Sequence, residues 1–291
     1  MKRFVALTAA ALGAALLSGT GSAQAAAPAD PVTSLKKQFA PGYGVRVAET
    51  YRGTASGIKG EFASRTVGVI GFGRSSAADH DLTTTWKFTE EQLATLGASS
   101  KEVPGPFRVI EVGGTTYVKG FDWHPLPEGK HWFRFGKNTS WGNEGQRGDQ
   151  LVDVFDPAVL KTLLAKAKVA KPGDYRGTLT LKDLYKASHG YGRPDTKAIS
   201  FRLLLDRDRR PARLITEYTE KIDWPDGKGK TVKRIQHNVV DTRYSGWGSK
   251  VTVMAPPAEE VVDFNVFTPP VDLSPLDAVT DRAQAAVVSR D

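Results

Sequence analysis

Residues 199–221 read ISFRLLLDRDRRPARLITEYTEK, and this stretch decides the fold class. Ile199–Leu205 and Arg213–Lys221 are each typical of a strand, and the polar turn 206–211 joins them. Because side chains alternate along a strand, one face of the first strand carries apolar groups at Ile199, Phe201, Leu203 and Leu205. Such a face must be covered by helices or filled by an apolar ligand, and both interpretations remain open from the pattern alone.

Further strands lie on both sides of this pair. Phe107–Val112 and Thr115–Phe121 flank Gly113-Gly114, which supplies the positive φ angles of a tight hairpin turn. The other predicted strands are Val45–Tyr51, Val67–Phe72, His131–Phe135, Tyr175–Tyr185, Thr231–Tyr244 and Lys250–Met254. Successive antiparallel strands with helical insertions predict an α+β protein and not a parallel sheet.

Three helices are predicted from end signals and apolar spacing. Asp156-Pro157 begins a helix with an N-cap and a first-turn proline, and Pro172-Gly173 ends it. Its apolar stripe consists of Leu160, Leu163, Leu164 and Ala167. Thr89-Glu90-Glu91-Gln92 is a capping box that opens a short helix ending near Leu96, and Pro31–Ala40 has helical apolar spacing.

The N-terminus carries the features of an export signal. Met1-Lys2-Arg3 is basic, residues 4–17 are almost wholly apolar, and Ala23-Gln24-Ala25 fits the rule for signal peptidase cleavage. The apolar run is short for a membrane span, which needs about 20 residues. We therefore expect residues 1–25 to be a signal peptide cleaved near Ala25, residues 26–263 to form one domain, and residues 264–291 to be a tail rich in proline and alanine. The mature chain is expected to carry no transmembrane segment.

Charge and cysteine content exclude several classes of function. Removal of residues 1–25 takes away two bases, so the formal charge falls from +8 to +6. The 40 basic and 32 acidic residues are mixed along the chain without a dense basic block, so nucleic-acid binding is not expected. The absence of cysteine excludes disulfides, thiolate metal sites and cysteine nucleophiles, and it leaves a secreted chain without a residue for lipid anchoring.

No arrangement of residues predicts catalysis, a metal site or a cofactor. The five histidines are not spaced as helical metal ligands, and Asp79-His80-Asp81, the tightest cluster of histidine with carboxylates, is interpreted as a surface loop. Gly71-Phe72-Gly73 begins like a dinucleotide fingerprint but lacks the third glycine and the following helix. We therefore expect a protein that is not an enzyme.

Several segments resemble one known family. The C-terminal block Asp241–Pro257, DTRYSGWGSKVTVMAPP, together with Ala258–Asp263, resembles the last strands of actinobacterial exported lipoproteins of the LppX/LprG kind, which are related in fold to the carrier LolA. Phe107–Lys119 resembles the central hairpin of that family, and Ile199–Thr219 resembles the strand pair before the closing block. The helix that starts at Asp156-Pro157 resembles the one that lies over the sheet, and the likeness spans roughly residues 31–263.

The resemblance implies a half-open β-barrel, a strongly curved antiparallel sheet with helices covering the concave face and an apolar cavity between them. It implies a binder of lipid or another apolar molecule, and the alternative on the same fold is an extracytoplasmic sensor that binds a cell-envelope protein. It supplies no residue-level site. The cavity lining is therefore predicted from the apolar faces themselves: Ile199, Phe201, Leu203, Leu205, Leu160, Leu163, Leu164 and Tyr117. The chain departs from the family in lacking the lipid-modified cysteine, so we expect a diffusible protein.

Overall fold

One sheet of twelve strands dominates the computed structural model, which describes residues 30–96, 105–120, 126–135, 147–188, 196–225 and 230–264. Its strands are β1 (Tyr43–Ala55), β2 (Phe62–Phe72), β3 (Ala77–Lys87), β4 (Phe107–Val112), β5 (Thr115–Lys119), β6 (Trp132–Phe135), β7 (Ala167–Lys171), β8 (Asp174–Thr180), β9 (Ala198–Leu205), β10 (Pro211–Pro225), β11 (Thr231–Lys250) and β12 (Val261–Asp263). The helices in these ranges are α1 (Pro31–Lys36), α2 (Glu90–Leu96), α3 (Pro157–Lys166) and α4 (Leu181–Ala187). The predicted signal segment and residues 265–291 of the predicted tail lie outside the described residues.

The strand order is β12-β6-β5-β4-β3-β2-β1-β11-β10-β9-β8-β7. All neighbouring pairs are antiparallel except β12 and β6, which run parallel. The sheet is curved and does not close, so the predicted α+β class and curved antiparallel sheet are confirmed. The centre of the sheet is a long-range pairing of β1 with β11, in which Tyr51 lies opposite Val240.

Burial separates the two faces of the sheet. Along β1 the side chains alternate, with Val47, Glu49 and Tyr51 buried and Arg46 and Thr50 exposed. We call the buried side the inner face. Helix α3 packs with α1 and with α4, and α3 and α4 also pack against β8. A large apolar core lies between these helices and the inner face of β1, β2 and β8–β11.

A second, smaller apolar cluster lies at the other end of the same face. It contains Val109, Val118, Phe133 and Phe135, with Phe264 packed against it. The ring of Phe264 stacks on Phe135 with centroids 4.6 Å apart. The closing strand β12 therefore belongs to the packed structure at this end of the sheet.

The structure differs from the sequence prediction between residues 167 and 187. The helix predicted up to Pro172 ends at Lys166, because Ala167 is extended and β7 pairs with β8 through Ala167↔Gly177 and Val169↔Tyr175. Residues 181–185, predicted as the end of a strand, belong instead to α4 (Leu181–Ala187), whose N-cap Thr180 accepts from Asp183 N–H in a complete capping box. Pairing of β7 with the next strand, β8, thus overrode the local helical pattern.

Other predicted elements are found with shifted bounds. The hairpin of β4 and β5 turns through Gly113 and Gly114, which both have positive φ, as predicted. The strand expected at 231–244 continues to Lys250 as the 20-residue β11, whereas the strand expected at 250–254 is not found, because residues 251–254 form no regular structure. Among the described residues, no helix is long and apolar enough to cross a membrane.

Candidate ligand-binding face

Seven of the eight predicted lining residues come together on the inner face. Ile199, Phe201 and Leu203 of β9 are 0 to 5% exposed and belong to the same core cluster as Leu160 and Leu163 of α3. Leu164 and Leu205 are partly buried and pack at the margin of this cluster. The strand face and the helix stripe predicted separately from sequence therefore belong to one apolar core.

The structure does not place Tyr117 near the other seven predicted lining residues. Directly paired residues share a face, and the row Val118, Val109, Leu82, Gly68, Val47 links β5 to the inner face of β1. Tyr117 precedes Val118 and therefore lies on the outer face, paired with Ile110 and Arg134.

An irregular segment of the chain that leads into α3 packs on the inner face of the sheet. We call residues 147–156, with sequence RGDQLVDVFD, the strap. Val152, Val154 and Phe155 of the strap are at most 4% exposed and belong to the same core as the predicted lining residues. In this conformation the apolar part of the inner face is covered by the chain itself.

The first half of the strap lies on a row of polar side chains across the inner face. We call this row, which consists of Glu49, Ser64, Thr216 and Thr242, the polar stripe. Glu49 accepts from the backbone N–H of Asp149 and from the Thr242 hydroxyl, both at 2.6 Å. Three further hydrogen bonds join strap and sheet: Ser64 donates to Asp149 at 2.7 Å, Thr216 donates to Gln150 at 2.7 Å, and Gln150 donates to Thr242 at 3.1 Å. The strap is thereby hydrogen-bonded to β1, β2, β10 and β11.

The carboxyl groups of Glu49 in the stripe and Asp149 in the strap share a buried environment. Burial raises the pKa of Glu49 to about 8, and the neighbouring charge of Asp149 adds to the shift. Burial also raises the pKa of Asp149 above its ordinary value, against the lowering effect of the hydrogen bond from Ser64. The Glu49 carboxyl group is therefore protonated near neutral pH.

A second set of hydrogen-bonded polar side chains lies next to the stripe on the inner face. Tyr51 donates to Asn238 Oδ1 at 2.7 Å, Gln236 Nε2 donates to both of them, and Asn238 donates to Glu220 at 3.0 Å. The ammonium group of Lys197 lies 2.8 Å from the Glu220 carboxylate. Burial raises the pKa of Tyr51 well above its usual range, so this phenol stays neutral.

Aromatic rings border this group at the edge of the core. Trp86 and Phe88 are partly buried and stack with centroids 6.3 Å apart. Trp86 also meets Tyr51 edge-on at 6.4 Å, and Phe88 meets Phe62 edge-on at 6.2 Å. The inner face thus combines an apolar area, a hydrogen-bonding stripe and half-exposed aromatic rings.

The interpretation of residues 79–81 as a surface loop is wrong. They lie within β3, and His80 is 1% exposed because its side chain points to the inner face opposite Glu111. Neither ring nitrogen has a hydrogen-bond partner among the described residues, although Nδ1 lies 3.4 Å from Glu111 Oε2. Burial, together with the charge of Arg147, lowers the pKa of His80 to about 3, so the ring is neutral.

The sequence analysis missed Glu49, Thr242, Gln150 and Asp149. One signal was available: Val45, Val47, Glu49 and Tyr51 share one face by alternation, so an acid stands on an otherwise apolar face. The position of Asp149 had no local signal. Among the described residues, no group of three or more histidine, cysteine, aspartate or glutamate side chains is arranged to hold a metal ion.

No family model and no curated protein matches the sequence. Solved structures similar to this chain include the Mycobacterium tuberculosis lipoprotein LppX, with 14% identity, 77% of this chain and 94% of that chain covered, and a TM-score of 0.36. A LolA superfamily protein from Nitrosomonas europaea has 10% identity, coverage of 78% and 93%, and a TM-score of 0.26. A DUF1329 family protein from Desulfovibrio piger has 11% identity, coverage of 74% and 90%, and a TM-score of 0.31. The first two are the kinds of protein that the sequence resembles, but at these TM-scores their properties do not transfer to this chain.

Proposed function

We propose that the protein is an exported, non-enzymatic carrier that holds the apolar part of a lipid or similar molecule against its inner face, beneath α3 and α4. The observation that carries the proposal is a continuous apolar area under a cover of very short elements. Helix α3 has 10 residues and α4 has 7, below the about 12–15 residues that an isolated helix needs in water. Their stability therefore comes from apolar packing on the sheet, and an apolar ligand can take over that packing.

The test begins with lipid content. The protein is purified natively from its source, and bound lipid is identified by mass spectrometry. After delipidation, thermal unfolding is measured with and without oleic acid, a monoacylglycerol or a phospholipid. A co-purified lipid together with a rise in unfolding temperature supports the proposal. No bound lipid and no shift with any of the three would contradict it.

The chain offers a matched pair of variants on one strand. Leu205 lies at the margin of the inner core, whereas Leu204 points to the outer face of β9. Leu205→Gln should weaken binding of a pyrene-labelled monoacylglycerol about tenfold, since one apolar contact is worth about 1–2 kcal/mol. Leu204→Gln should leave binding within twofold of the wild type. Equal effects of the two variants would exclude binding at this face.

Export forms part of the same proposal. It is supported by the basic, apolar and small-residue pattern of residues 1–25. N-terminal sequencing of protein recovered outside the cytoplasm should start near Ala26. Recovery of uncleaved protein in the cytoplasmic fraction alone would contradict export.

A second candidate function, recognition of an envelope protein, is favoured by one edge of the sheet. Strand β7 ends the strand order, and Val169 on it is 61% exposed. An exposed edge strand is a template for addition of a strand from another chain. Val169→Lys should then abolish cross-linking to the partner and leave monoacylglycerol binding unchanged. Retained cross-linking would exclude this edge.

A further inference from the structure

The strap has the composition that a ligand of the inner face would have. Its second half buries Val152, Val154 and Phe155 in the apolar core, and its first half hydrogen-bonds to the polar stripe. No helix or strand forms within residues 147–156. The segment is therefore held by its contacts with the sheet and α3 and not by regular backbone hydrogen bonds of its own.

We propose that the strap is a displaceable occupant of the ligand's place, and that protonation of the buried Glu49 carboxyl group, which accepts the backbone N–H of Asp149, keeps the strap docked. This inference rests on the proposed carrier function, and it narrows the ligand class. A molecule that replaces the strap needs an apolar portion for the space of Val152, Val154 and Phe155. It also needs an uncharged headgroup, with amide or hydroxyl groups, to replace the contacts of Gln150 with Thr216 and Thr242.

The strap packs so tightly on Glu49 that ionisation of the Glu49 carboxyl group would affect its docking. Gly148 has a φ of 105°, and a Cβ there would clash with the Glu49 carboxyl group. When both Glu49 and Asp149 are ionised, two like charges face each other in a buried site, which opposes docking of the strap.

The charged side chains near Glu49 and Asp149 do not neutralise these two carboxyl groups. Arg147 of the strap is 2.6 Å from Asp153, and Lys197 is paired with Glu220. The other buried polar side chains on this face include the hydroxyls of Ser64, Thr66, Thr216 and Thr242, the phenols of Tyr51 and Tyr218, and the amides of Gln236 and Asn238. The titratable groups His80 of β3 and Glu111 of β4 interact electrostatically with Arg147 of the strap. Raising the pH should therefore release residues 147–150 first.

Hydrogen exchange of the full chain tests the release. Protection of the Asp149 and Gln150 amides is measured from pH 6.5 to 9 and corrected for the intrinsic pH dependence of exchange. In the wild type we expect protection to fall at least tenfold over this range, and in Glu49→Gln less than twofold. Glu61→Gln, at an exposed position, serves as control and should behave as the wild type. Unchanged wild-type protection across the range would overturn the inference.

Gly148→Ala provides a second variant that leaves both carboxyl groups in place. Its added Cβ should force the strap away from Glu49, so protection should already be low at pH 6.5. Wild-type protection in Gly148→Ala would overturn the tight docking on which the inference depends. The wild-type pH series remains decisive even if one of the variants fails to fold.

A reversible tether tests whether strap and ligand exclude each other. The Ser64 hydroxyl lies 2.7 Å from the Asp149 carboxylate, and the chain has no cysteine of its own. Ser64→Cys with Asp149→Cys should, when oxidised, bind a pyrene-labelled monoacylglycerol at least tenfold more weakly than when reduced. Equal binding in both forms would overturn the inference and leave the carrier function standing. If the wild type binds no lipid at any pH, the proposed carrier function is wrong. The proposal that the strap occupies the place of a ligand is then wrong as well.

Discussion

At the scale of single residues, the inner face is unusual in placing ionisable groups among apolar side chains. Glu49 and His80 are each 1% exposed, and burial displaces both pKa values toward the neutral form. Their effects on stability run in opposite directions with pH. Glu49 binds its proton more tightly in the folded chain than in the unfolded chain, whereas His80 binds it less tightly.

The wild type should lose stability at alkaline pH, and Glu49→Gln should not. The folded pKa of about 8 lies above the ordinary value of 4.5, so the stabilising contribution is complete below about pH 4.5 and is lost as the pH rises to about 8. We expect Glu49→Gln to be more stable than the wild type at pH 8.5, with the difference shrinking toward pH 5. Urea unfolding at both pH values measures this, and a constant difference would contradict it.

His80→Leu should stabilise the protein, because two buried ring nitrogens without partners are replaced by an apolar side chain of similar size. We expect a gain of about 1 kcal/mol in the free energy of unfolding at pH 7. The folded pKa of about 3 lies below the ordinary 6.5, so wild-type stability is lost as the pH falls between these values, and the gain should be larger at pH 5.

Urea unfolding of His80→Leu at the two pH values provides the measurement. His237→Gln is the control, since His237 is 46% exposed on the outer face and should change stability by less than about 0.5 kcal/mol. A less stable His80→Leu would show that the imidazole makes a stabilising contact.

At the scale of elements, α3 connects the strap to β7 and covers the predicted lining residues. Its N-cap Asp156 accepts from the N–H groups of Ala158, at 2.7 Å, and Val159, at 3.4 Å. This cap also fixes the end of the strap, because Asp156 is the last strap residue. The start of α3 followed from local chemistry, whereas its end was set by the pairing of β7 with β8.

Asp156→Ala should destabilise the protein by about 1 kcal/mol and loosen α3, since two helix N–H groups lose their acceptor. Asp156→Ser keeps an N-cap acceptor and is the matched control, with stability expected within about 0.5 kcal/mol of the wild type. Thermal unfolding and hydrogen exchange of residues 157–166 provide the readouts. Equal stability of the two variants would contradict the role of the cap.

At the scale of the whole molecule, one sheet carries two apolar clusters on the same face. The larger lies under α1, α3 and α4, and the smaller packs around Phe133 and Phe135 where β12 closes against β6. Because no residue is shared between the two clusters, changes in one should affect the other weakly.

Phe264→Ala tests this separation. It removes the one ring that stacks on Phe135 and meets Phe133 edge-on, and it should destabilise the protein by about 1–2 kcal/mol. Exchange should rise in β5 and β6 and stay unchanged in α3. Phe39→Ala, which removes an edge contact with Phe72 in the larger cluster, should give the reverse pattern. A uniform rise across the chain in either variant would contradict two separate clusters.

The sequence by itself determined the elements whose signals are local. The alternation of Ile199–Leu205, the Gly113-Gly114 turn and the Asp156-Pro157 cap each depend on neighbouring residues, and each was predicted correctly. Only the tertiary structure decided where partners distant in sequence meet. It placed His80 inside and Tyr117 outside, and brought Asp149 to Glu49 across 100 residues. The physical reason is that burial and strand pairing depend on the whole sheet, whereas caps and turns depend on a few adjacent residues.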